Sequence, residues 1–88
     1  MKTIWKYELE ITDEQEIKVP KGAKFLSVDF QGNSGCLWAL VDSRKPKVTR
    51  TIAIKGTGNP IDPYEDLSFI GTFQMRKGSL VWHVFEKK

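Results

Sequence analysis

The chain has 88 residues, 40% hydrophobic and 28% charged, with a formal net charge of +3. This length provides one small hydrophobic core, so we expect a single domain over residues 1–88 and no separate catalytic module. The apolar content excludes an intrinsically disordered chain. Because so small a core supplies little net stability, a homo-oligomer is expected.

The cationic residues are spread along the sequence rather than gathered in one basic block, so nucleic-acid binding is an alternative that the sequence does not favour. It would need a continuous basic stripe, for which the candidates around turns, with acidic residues interleaved, are Lys18, Lys21, Lys24, Arg44, Lys45, Lys47, Arg76 and Lys77. Cys36 has no second cysteine to pair with and lies in an apolar run, which favours a reducing, cytoplasmic compartment. No run approaches the roughly 18 apolar residues that span a bilayer, and the N-terminus lacks a signal-peptide core. A membrane partner is therefore not expected.

Hydrophobic residues recur with a period of two, and turn-forming residues interrupt the pattern at short intervals. This predicts an all-β fold, a small antiparallel sandwich or barrel of about seven short strands. The predicted strands cover about Thr3–Ile11, Glu16–Val19, Phe25–Phe30, Cys36–Asp42, Val48–Lys55, Leu67–Met75 and Ser79–Phe85, with a hairpin turn at Lys77–Gly78.

The strands differ in the burial that their patterns predict. The first places Trp5, Tyr7, Leu9 and Ile11 on one face, and the second, which ends at Pro20, is expected to be an edge strand. The fourth and the last are apolar on both faces, which predicts that Trp38 and Trp82 belong to the core and that His83 is a hydrogen-bonded core or interface residue.

Arg50 shares its strand face with Val48, Ile52 and Ile54, which predicts an inward-pointing guanidinium. A buried guanidinium needs an anion, because its desolvation is otherwise too costly. Asp29 and Asp42 are the candidate partners within the chain, and the alternatives are that Arg50 reaches the rim of the sheet or meets an anionic ligand.

The segment after Arg50 enters a polar glycine loop and resembles an anion-binding corner. Threonine, asparagine and two glycines near two cations would surround a phosphate with charge and backbone donors, although the same residues also form an ordinary turn. Trp5 would stack on a base, line a pocket rim or anchor an oligomer interface, and Tyr64 lies in a proline-bounded loop typical of binding loops. The candidate ligand-binding residues are Arg50, Lys55, Gly56, Thr57, Gly58, Asn59, Trp5 and Tyr64.

Catalytic groups are scarce in this sequence. The single histidine and the single cysteine both lie within hydrophobic strands, so no nucleophile–base pair is predicted. No spaced set of His and Cys residues would hold a metal. We therefore expect a non-enzymatic protein without a cofactor or metal.

Several segments, in this order, resemble a family of small uncharacterised phage and prophage proteins. The resemblance covers nearly the whole chain and implies a viral or prophage origin, and hence the host cytoplasm, but no known activity. It is carried by Ile4–Leu9, Pro20–Lys24, Cys36–Asp42, Gly56–Ile61, Tyr64–Phe73 and Val81–Glu86.

Two functional hypotheses follow. The first is a phage-encoded binding protein that counters host antiviral defence by sequestering a phosphate-bearing nucleotide signal, cyclic or derived from ADP-ribose. The second is a phage protein that inhibits or modulates a host or virion protein by direct contact through exposed aromatic residues and a sheet edge.

Overall fold

The computed structural model describes residues 1–61, 64–75 and 80–88. Within these residues the chain forms seven β-strands, one short 3₁₀ turn at Tyr64–Asp66 and no α-helix. The predicted Lys77–Gly78 turn lies outside the described residues. The strands are β1 (Lys2–Leu9), β2 (Glu14–Pro20), β3 (Lys24–Gln31), β4 (Ser34–Asp42), β5 (Lys47–Gly56), β6 (Leu67–Met75) and β7 (Leu80–Lys87).

The strands form two antiparallel sheets that pack as a sandwich. The three-stranded sheet has the order β1-β4-β3, and the four-stranded sheet has the order β2-β5-β7-β6. The sheets are not closed into a barrel, so the all-β prediction is confirmed as a sandwich. β2 is an edge strand, as its proline predicted.

Alternating residues of both sheets build the core between them. Leu37 of β4, Ile52 of β5 and Val84 of β7 are fully buried there. Trp82 packs against this cluster, whereas Trp5 packs against a second cluster made by Val19, Ala23, Ala39 and Val41.

Trp38 contradicts the prediction that it belongs to the core. Its neighbours Leu37 and Ala39 point inward and are fully buried, so alternation directs Trp38 to the outer face of the three-stranded sheet, where it is half-buried. The sequence pattern predicted that both faces of β4 are covered. In the structure the four-stranded sheet covers only one of them.

Candidate functional site

Arg50 points inward, as its parity predicted, and its guanidinium is held by groups of the protein. Nε and Nη2 donate to the two carboxylate oxygens of Glu86 at 2.5 and 2.8 Å. Nη1 donates to the carbonyl oxygen of Ala23 at 2.6 Å, and the guanidinium carbon lies 4.3 Å from the ring centroid of Phe25. Arg50 therefore joins the two sheets, since Glu86 belongs to one and Phe25 to the other.

The prediction that Asp29 or Asp42 pairs with Arg50 is wrong. Glu86 lies directly opposite Ile52, which places it diagonally across from Arg50 on the same sheet face. An extra residue at the β-bulge between Phe25 and Ser27 turns Asp29 to the outer face. The bond to Glu86 raises the pKa of Arg50, so this guanidinium stays charged.

Lys55 lies too far from Arg50 to share one phosphate with it. Five residues of extended strand separate their Cα atoms by about 17 Å, and the odd spacing puts them on opposite faces. The ammonium of Lys55 lies 3.5 Å from the carboxylate of Asp13. The two cations of the predicted anion corner therefore have separate carboxylate partners.

The glycine loop forms a turn whose backbone donors are largely engaged. The amide of Asn59 donates to the carbonyl of Gly56 at 3.0 Å, and the amide of Thr57 donates to the carbonyl of Val81 at 3.3 Å. Gly58 has φ of +90°, the value that a type II turn requires at its third position. The loop lines a cavity of about 340 Å³ together with Leu80, Val81 and Trp82.

The two predicted aromatic contacts lie in different surroundings. Trp5 packs on the inner face of β1, whereas Tyr64 is 60% exposed beside the four-stranded sheet. The ring of Tyr64 meets Phe85 edge-on at 6.4 Å, and Phe69, 58% exposed, meets the same ring at 5.5 Å. We call Tyr64, Phe69 and Phe85 the aromatic patch.

His83 lies on the outer face of the four-stranded sheet between two threonines. Its Nε2 is 2.8 Å from Oγ1 of Thr57, and its Nδ1 is 3.0 Å from Oγ1 of Thr72. Both ring nitrogens are therefore engaged by hydroxyl groups, as a hydrogen-bonded structural histidine would be. Among the residues that the structure describes, no group of three His, Cys, Asp or Glu residues is arranged to hold a metal ion.

A second cationic site lies at one end of the outer face of the three-stranded sheet, where three of the lysines that the sequence placed around turns meet Lys2. Four exposed lysines surround a cavity of about 350 Å³ there, and we call this site the lysine corner. Its lining consists of Lys2, Lys21, Gly22, Lys24, Leu40, Val41, Asp42 and Lys45.

Two tight turns hold the lysine corner in place. In the β2–β3 turn the amide of Ala23 donates to the carbonyl of Pro20 at 3.1 Å, with Gly22 at φ of +84°. In the β4–β5 turn the amide of Lys45 donates to the carbonyl of Asp42 at 3.0 Å. A bond of 2.7 Å from the amide of Lys21 to the carbonyl of Pro46 links the two turns, so the lysine backbones are fixed relative to each other.

The lysine corner is strongly electropositive. Asp42 is the only carboxylate in the lining, and Arg44 engages both of its oxygens at 3.2 and 3.3 Å. That side-chain bond holds the pKa of Asp42 well below its usual range. The four lysines and the single carboxylate give the described lining a formal charge of +3, equal to that of the whole chain.

None of the four lysine ammonium groups has an ion-pair or hydrogen-bond partner among residues 1–61, 64–75 and 80–88. This contrasts with Arg50 and Lys55, which the fold pairs with carboxylates. The lysine corner therefore gathers uncompensated positive charge around one cavity.

The only sequence signal for this corner is the position of its lysines at strand ends and turns. Lys21, Lys24 and Lys45 flank the two turns, but Lys2 lies at the start of a distant strand. Lys2 reaches the corner because β1 pairs with β4 so that Lys2 lies opposite Asp42. That register depends on which strands pair in the fold, so the alternation of residues within one strand does not predict it.

The fold and this corner define a small antiparallel β-sandwich with a cationic surface cavity. The chain belongs to the family DUF7352, a domain of unknown function, whose model matches residues 1–88. No curated protein and no solved structure matches the chain. Within the described residues no helix has the length and apolarity that crossing a membrane demands. The phage origin implied by the resemblance stays a prediction.

Proposed function

We propose that this protein is a non-enzymatic binding protein whose ligand carries phosphate groups and occupies the lysine corner. The observation that carries the proposal is the set of four unpaired lysines around one cavity. The proposal keeps the ligand chemistry that the sequence predicted. It moves the site from the glycine loop to the β2–β3 and β4–β5 turns. Binding there needs no group from Arg50.

The chemistry of the corner suits a phosphate group better than a single carboxylate. Each lysine ammonium supplies a point charge and three donors, and four of them match the several anionic oxygens of a di- or triphosphate. Leu40 contributes an apolar floor, which lowers the local dielectric and strengthens the attraction. The linked turns fix the backbone positions before binding, which reduces the ordering cost.

The first test measures binding of inorganic tripolyphosphate by calorimetry at low ionic strength. Lys24→Gln is expected to weaken binding about fivefold, and Lys21→Gln with Lys24→Gln about 25-fold, from roughly 1 kcal/mol per exposed charge. Lys18→Gln is the matched control, because Lys18 is also exposed on a strand but lies outside the corner. Absence of tripolyphosphate binding, or equal losses in the control, would overturn the proposal.

Binding without chemistry would lower the free concentration of the ligand. In a cell whose defence relies on a cyclic or ADP-ribose-derived nucleotide, a protein of this kind would blunt the signal by sequestration. That role rests on the resemblance to phage and prophage proteins. Its test is whether expression of the protein restores plaque formation on a host that carries such a defence, with the Lys21→Gln, Lys24→Gln double variant as the inactive control.

The aromatic patch favours the second function, direct contact with a protein. Tyr64 and Phe69 expose more than half of their surface, and Glu65 and Asp66 lie beside them in the 3₁₀ turn. The matching partner is a protein whose apolar patch is rimmed by cations. Tyr64→Ser with Phe69→Ser should abolish the biological effect while tripolyphosphate binding persists. The opposite pattern would favour the lysine corner.

A further inference from the structure

The outer face of the three-stranded sheet has an ordered polarity that begins at the lysine corner. Cross-strand neighbours form rows on this face: Lys2 lies opposite Asp42 at the end of the sheet, and the next row contains Ile4, Leu40 and Lys24. The next row along the strands contains Lys6, Trp38 and Ser27. A face that passes from cations to an aromatic ring offers two different contacts to one ligand.

Trp38 is placed to contact a flat apolar group beside the lysine corner. It lies two residues from Leu40 on the same face, which separates the two Cα atoms by about 7 Å. Its neighbour on β3 is Ser27, which has a small side chain, and Trp38 is partly exposed. A partly exposed indole on a central strand offers a stacking surface to any base, since every base has a π face.

The row beyond Trp38 carries two carboxylates. Glu8 and Asp29 lie on either side of Cys36, about 13 Å from the lysine-corner row. One oxygen of Asp29 accepts a bond of 2.8 Å from the amide of Phe30, and one oxygen of Glu8 accepts a bond of 3.5 Å from Ser34. The second oxygen of each carboxylate has no partner among the described residues and is available to an amino group of a base.

We infer that the ligand is a single nucleotide whose phosphates occupy the lysine corner and whose base stacks on Trp38 with an amino group toward Glu8 and Asp29. This inference rests on the proposed function, because it places the phosphates at the same four lysines. A longer strand is disfavoured on this face, because the next phosphate beyond the base would meet these two carboxylates. A free nucleotide has no further phosphate to place beside these carboxylates.

The test compares ligands of similar charge by calorimetry in the absence of divalent cations. ATP is expected to bind about tenfold more tightly than tripolyphosphate, since stacking on an aromatic side chain contributes roughly 1–3 kcal/mol per base. UTP, which lacks the exocyclic amino group, is expected to fall between them. A five-residue oligoadenylate is expected to bind no more tightly than ATP.

Trp38→Leu keeps an apolar side chain on the strand and removes the ring. It should weaken ATP binding about tenfold, leave tripolyphosphate binding unchanged and abolish the quenching of tryptophan fluorescence by ATP. Tyr64→Leu is the matched control on the other sheet. Circular dichroism checks that both variants fold.

The outcomes separate this inference from the function on which it rests. If ATP and tripolyphosphate bind equally and Trp38→Leu has no effect, base stacking is overturned while the phosphate site stands. If neither ligand binds the native chain, both proposals are overturned. If oligoadenylate binds much more tightly than ATP, the single-nucleotide inference is wrong and a strand is the ligand.

Discussion

Arg50 lies in the middle of a strand and contacts Glu86, Ala23 and Phe25, whereas the lysines of the lysine corner lie at strand ends and turns without partners among the described residues. Both regions carry positive charge, but the fold neutralises only the first. A cation on an inward strand position is part of the architecture, because its desolvation demands a built-in anion. Cations at turns stay solvated and remain available to a ligand.

The largest expected effect separates the two regions through stability. Arg50→Ala should lower the free energy of unfolding by about 2–3 kcal/mol, because it leaves Glu86 partly buried without its partner and removes the link between the sheets. The value lies below that of a fully buried pair because both side chains are about a fifth exposed. Urea denaturation measures it.

Lys55→Ala is the matched control for Arg50. The Asp13 that it contacts is 86% exposed, so the change should stay within about 0.5 kcal/mol. Tripolyphosphate binding by the folded Arg50→Ala protein should equal that of the native chain. Loss of tripolyphosphate binding in Arg50→Ala with an unchanged free energy of unfolding would show that Arg50 belongs to the ligand site.

The next effect concerns the turn that positions the lysines. Gly22→Ala should lower the free energy of unfolding by about 1 kcal/mol, since φ of +84° strains any residue with a Cβ even though nothing lies within 4 Å of it. It should also weaken tripolyphosphate binding, because Lys21 and Lys24 flank Gly22. Denaturation and calorimetry on the same sample measure both.

Gly32→Ala provides the comparison, since Gly32 has φ of +64°, also has open space around it and lies in the turn at the other end of β3. Its stability cost should be similar and its binding unchanged. Equal losses of binding in the two variants would show that the lysine corner is not the site.

The sequence predicted the local part of this structure well. All seven strands were found, Leu67–Met75 at its observed bounds, because alternation is a property of neighbouring residues. The inward direction of Arg50 followed from the same parity. Its partner did not, because Glu86 is 36 positions away and meets Arg50 only through the β5–β7 register.

The candidate site was harder to predict for the same reason. The lysine corner assembles residues from β1, two turns and the end of β4, and no single segment shows that they converge. The bulge after Phe25 also reversed the face on which Asp29 was expected. Strand pairing and bulges depend on tertiary packing, which a period-two pattern does not encode.

A smaller effect of opposite sign is expected at Tyr7, which lies between the two core clusters. Its hydroxyl is buried without a hydrogen-bond partner in the described part of the chain. Tyr7→Phe should therefore raise the free energy of unfolding by about 1 kcal/mol, since an unsatisfied buried hydroxyl is destabilising. Neither the contacts of Arg50 nor tripolyphosphate binding at the lysine corner should change.

Burial also raises the pKa of Tyr7, so its ionisation disfavours the folded state. The native chain should lose stability as pH rises above about 10, the unfolded pKa of tyrosine, and Tyr7→Phe should lose less. Tyr64→Phe, at an exposed tyrosine, is the control. It should change neither the free energy of unfolding at neutral pH nor its decline at high pH. Destabilisation by Tyr7→Phe at neutral pH would show that the hydroxyl has a partner.

The smallest expected effect tests the one carboxylate within the lysine corner. Arg44 lowers the pKa of Asp42, so the stability that this ion pair contributes is present above about pH 4, the unfolded pKa, and is lost as pH falls below it. Asp42→Asn should flatten that acid limb in denaturation curves measured between pH 6 and pH 2. Because it also removes the corner's only negative charge, it should tighten tripolyphosphate binding about twofold at low ionic strength. Weaker binding in Asp42→Asn would mean that the carboxylate positions Arg44 for the ligand, and the uncompensated charge of the four lysines would no longer account for the site.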